Sequence, residues 1–62
     1  MNKLPSNPQI LLSIINMKLR DFYSSLSSLC DDLDENEEEI KEILSNIGYQ
    51  YSTIKNQFIG KE

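Results

Sequence analysis

Twice in this chain four apolar residues fall at positions i, i+3, i+4 and i+7: Leu26, Leu29, Cys30 and Leu33, then Ile40, Ile43, Leu44 and Ile47. That spacing puts each set on one face of a helix, so both segments must turn a stripe toward a common apolar partner. Asp34-Glu35-Asn36 makes the turn between them. Ser24 or Ser25 is placed to cap the first helix and Asn36 the second, with Glu39 three residues on in the manner of a capping box. Gly48 ends the second helix at a position that tolerates a left-handed backbone.

The partner lies upstream. Asn7-Pro8 opens a longer helix running to about Phe22, because asparagine caps free amides and proline suits the first helical position. At about 100° per residue, Leu11, Leu12, Ile15, Leu19 and Phe22 form one apolar arc and Ile10, Ile14 and Met17 a second. Gln9, Ser13, Asn16 and Arg20 make the polar stripe. Met1 to Ser6 reads as an extended lead-in. After Gly48, Tyr49-Gln50-Tyr51 and Gln57-Phe58-Ile59 flank a polar five-residue connection, the pattern of two hairpin strands. A hairpin alone is barely stable in water, so Tyr49 or Tyr51 and Phe58 should pack on the helices. The expected fold is mainly α with an α+β character: one small domain over residues 1–62, with three helices in 7–48 and a C-terminal β-hairpin in 49–59. It resembles a winged helix-turn-helix.

Charge argues against the function that such a shape suggests. From Asp31 to Glu42 there are eight carboxylates and one lysine, a net charge of −7, while the rest of the chain carries +3. Affinity for nucleic acid comes chiefly from neutralising phosphates. The would-be reading helix is acidic, and Lys3, Lys18, Arg20, Lys55 and Lys61 are scattered, so specific nucleic-acid binding is not expected.

Few residues carry chemistry. The chain has no histidine and a single cysteine, so neither an intramolecular disulfide nor a Cys/His zinc site can be built. Cys30 falls between Leu29 and Leu33 on the core face, beside Asp31 and Asp32, which would raise its pKa; it reads as a small buried hydrophobe. Asp32-x-Asp34-x-Asn36 imitates the start of a calcium loop. Its sixth position is Glu37 where glycine is needed, and its twelfth is Ile43 where a glutamate should close the site. No catalytic residue, metal or cofactor is expected, no small-molecule substrate is evident, and the chain is not read as an enzyme.

Leu4-Pro5, Asn7-Pro8, Leu11-Leu12-Ser13, Asn16, Leu19-Arg20-Asp21, Tyr23, Leu29-Cys30, Asp32-Leu33, Gly48-Tyr49 with Tyr51, and Asn56-Gln57-Phe58 together resemble the small bacterial proteins of domain-of-unknown-function family 4250. The resemblance covers nearly the whole chain and is most specific in the first helix and the hairpin. It implies an intracellular bacterial protein of unassigned activity, and carries over no catalytic or ligand residues.

Interaction with protein is the remaining expectation. The first helix is apolar over more than half its circumference, and two short helices and a hairpin cover one arc more easily than two. Ile10, Ile14 and Met17 are therefore left for a partner, most simply a second copy in a homodimer; a hairpin wrapping over that arc is the structural alternative. Asn16 and Arg20 could grip a carboxylate or peptide backbone, or else brace the hairpin or pair with Asp21, Asp31 or Asp32. Tyr49 and Tyr51, sharing one strand face, could line a binding surface or pack in the core. A degenerate winged-helix-like accessory module in transcription or nucleic-acid-linked regulation is the alternative function. With no stretch approaching the ~20 apolar residues of a membrane span and no signal-peptide cleavage site after Ile15, a cytoplasmic location is expected.

Overall fold

The computed structural model describes residues 4–60. Three helices, α1 (Pro8–Asp21), α2 (Leu26–Leu33) and α3 (Glu37–Ser45), precede an antiparallel hairpin of β1 (Tyr49–Ser52) and β2 (Gln57–Gly60). Each helix begins where a side chain can accept from its free amides. Asn7 Oδ1 accepts from the Gln9 and Ile10 N–H groups, Ser25 Oγ from that of Ser28, and Asn36 Oδ1 from that of Glu39 at 2.9 Å.

Two helix ends differ in detail from the sequence expectation. α3 stops at Ser45 rather than Gly48: the Ile47 and Gly48 amides bond back to Leu44 and Ser45, tightening the chain into a turn that Gly48 closes at φ +87°. α1 stops at Asp21, and Phe22, at φ −126°, leaves the helical path. Its ring therefore swings off the arc of Leu11, Ile15 and Leu19 and is 69% exposed instead of in the core.

The core is almost entirely aliphatic. Leu11, Ile15 and Leu19 of α1 meet Leu26, Leu29 and Cys30 of α2, Ile40 and Leu44 of α3, and Phe58 of β2. Leu4 joins them, so the described part of the lead-in is not simply a free extension; residues 1–3 of that reading lie outside the described residues. In β1 and β2 Tyr51 lies opposite Phe58, their rings 5.5 Å apart, and Tyr49 packs on the same core. Antiparallel pairing runs from Tyr49–Gly60 to Ser52–Gln57, leaving Thr53 to Asn56 as the turn.

Candidate interaction surface

The outer row of α1 is split by the packing. Ile14 is half-buried against the core, while Ile10 is 52% and Met17 37% exposed. The hairpin docks on α1 through Asn16, to one side of this row. Asn16 Nδ2 donates to the Phe58 carbonyl at 3.1 Å, and its Oδ1 accepts from the Phe58 N–H at 2.8 Å. Gln57 Nε2 donates to the Asn16 carbonyl. One amide side chain thus reads both backbone groups of Phe58, as a neighbouring strand would, and sets the depth at which that ring enters the core.

Arg20 does not join Asn16. Its Nε and Nη2 each donate to Asp21 at 2.9 Å, a forked pair at the surface that holds the Asp21 carboxyl below its ordinary pKa and raises that of the guanidinium. The structure therefore separates the polar stripe into a hairpin brace and a surface ion pair.

Tyr51 is placed by its ring and its hydroxyl. The hydroxyl accepts from the Leu26 N–H at the start of α2 and donates to Asn56 Oδ1 at 2.6 Å. Asn56 Nδ2 in turn donates to the carbonyls of Leu19 and Tyr23, at the end of α1. Free carbonyls at one helix end and a free amide at the start of the next are thus satisfied by two side chains of the hairpin. Sequence reasoning assigned Asn56 and Gln57 no role beyond the turn and strand. The available signal was an asparagine at the last turn position, which tolerates the left-handed φ of 53° found there. Tyr49, half-buried, lines a shallow surface depression with Lys41, Ser45 and Tyr51.

Elsewhere the polar side chains hold helices together. The Tyr23 hydroxyl donates to the Asp32 carboxylate, and Ser27 to Glu37, which also pairs with Lys41 at 3.2 Å. Burial pushes the Cys30 thiol up to about 11, assisted by Glu37 and Glu35, not by its chain neighbours Asp31 and Asp32. Among the described residues no cluster of three metal-binding side chains occurs, and Asn36 Oδ1 is committed to the cap.

A family model described as "Domain of unknown function (DUF4250)" matches residues 5–58. The chain belongs to the DUF4250 family. No curated protein and no solved structure matches it. In this DUF4250 chain the residues that carried the resemblance have visible work: Asn7 caps α1, Asn16 and Gln57 dock β2, Tyr51 and Asn56 tie the hairpin to two helix ends, and Tyr23 reaches Asp32. They are the polar contacts that build the fold. Ile10 and Met17 remain outside the core, as do Phe22 and Ile54, which is 95% exposed. No helix among the described residues is long and apolar enough to cross a membrane.

Proposed function

We propose that this DUF4250 chain is a protein-interaction domain that self-associates through the outer row of α1. The observation that carries the reading is that Ile10 and Met17 stand exposed on either side of the half-buried Ile14. Residues four and three apart line one helix face, so the row forms a continuous apolar strip roughly 10 Å long at 1.5 Å per residue. Two such helices packed antiparallel about a two-fold axis set Ile10 against the second copy's Met17, with the Ile14 pair between them. A strip this short buries less than a stable obligate dimer needs, and fits a reversible one. The nucleic-acid-linked alternative gains no such support, because Arg20 is paired with Asp21 and Lys41 with Glu37 and Glu38.

Sedimentation equilibrium over a range of protein concentrations tests the reading. The wild type should show reversible dimer formation, and Ile10→Lys with Met17→Lys should remain folded and lose this symmetric dimer. Concentration-independent monomer in the wild type would overturn it.

A further inference from the structure

A second surface lies at the opposite end of α1 from Phe22. Among the described residues, Leu4, Pro5, Ser6, Leu11, Ile40 and Ile43 line a groove of about 170 Å³ together with Glu35 and Glu39. Neither carboxylate makes a hydrogen bond or ion pair with another described side chain. An enclosed apolar cavity of about 150 Å³ takes up a benzene ring; this groove has a similar volume but is open to solvent and part polar, so it suits one aromatic ring that stays partly exposed. The carboxylates ask that it come with a cation.

The chain presents that combination itself. Phe22 is 69% exposed, and the Lys18 ammonium lies 5.9 Å from the centre of its ring without an ion pair among the described residues. Leu11, which lines the groove, is roughly 16 Å from Phe22 along α1 at 1.5 Å per residue, so a molecule cannot place its own ring there. A second molecule can.

We propose that the Phe22 ring of one copy seats in the Leu4–Leu11–Ile40–Ile43 groove of the next, with Lys18 meeting Glu35 and Glu39. This contact is heterologous, joining different faces of the two copies, and it uses none of the outer row of α1. It can therefore be isolated in the Ile10→Lys, Met17→Lys protein, where loss of the symmetric contact and loss of this one are read separately.

In that background, concentration-dependent association should persist at millimolar protein, and the methyl signals of Leu4, Ile40 and Ile43 should move with concentration. Phe22→Ala, at an exposed site, should weaken association at least tenfold and abolish the methyl shifts. Lys18→Glu alone and Glu35→Lys with Glu39→Lys alone should each do the same, while an equimolar mixture of these two variants should associate again, since each supplies the charge that the other needs. If the doubly charged variant does not fold, Phe22→Ala and Lys18→Glu with the methyl map decide. A monomer at millimolar concentration, association unchanged by Phe22→Ala, or a folded mixture that does not recover would each overturn the proposal. So would groove methyls that ignore concentration but move when residues 1–3 are removed, which would assign the groove to the chain's own N-terminus.

Discussion

Asn56 concentrates more of the tertiary hydrogen bonding than its place in a turn suggests: its amide serves Tyr51, Leu19 and Tyr23 at once. Leaving these part-buried groups without partners costs about 1–3 kcal/mol, and a chain of this length has only about 3–9 kcal/mol of total stability. Asn56→Ala should therefore lower the urea midpoint sharply, and Asn56→Asp nearly as much, since it keeps the acceptor but loses the amide donor. Arg20→Ala, at an exposed pair, should change it little. Cys30 makes a prediction in pH. Its folded-state pKa of about 11 lies above the unfolded value, so the native state holds its proton longer, and the stability this provides is complete below about pH 9 and lost as pH rises to about 11. Denaturation followed across that interval should show a steeper loss of stability for the wild type than for Cys30→Ala. Equal slopes would mean that burial does not hold the thiol neutral.

At the scale of elements, the helices are set locally and the hairpin is set by the helices. Asn36 illustrates the first: Asn36→Ala removes the acceptor of the Glu39 amide and should cost about 1 kcal/mol, with or without calcium, in thermal melts. A calcium-selective rise in melting temperature at micromolar ion, lost in the variant, would contradict this. Such caps were legible in the sequence because cap, proline and apolar spacing sit within a few residues of one another, as at Asn7-Pro8 and Ser25. Phe22 falls on the core arc only if α1 continues one residue past its true end, where the backbone has already left the helical path. Leu4, Asn56 and Gln57 find their partners far along the chain, and no periodicity encodes a contact between residues 16 and 58. Asn16 was narrowed to a brace or a binding group, and only the geometry of the Phe58 backbone distinguishes these.

Over the whole molecule, apolar side chains exceed what a core of this size encloses. The aliphatic interior and the braced hairpin leave no buried side-chain nitrogen or oxygen without a partner among the described residues. Yet Ile10, Met17, Phe22 and Ile54 stay outside it. Their exposure is what the proposed self-association rests on. Sedimentation equilibrium of the wild type beside the Ile10→Lys, Met17→Lys protein tests it most directly, with circular dichroism confirming that both are folded. The account predicts a concentration-dependent rise in mass for the wild type that is reduced in the variant; equal masses at every concentration would contradict it.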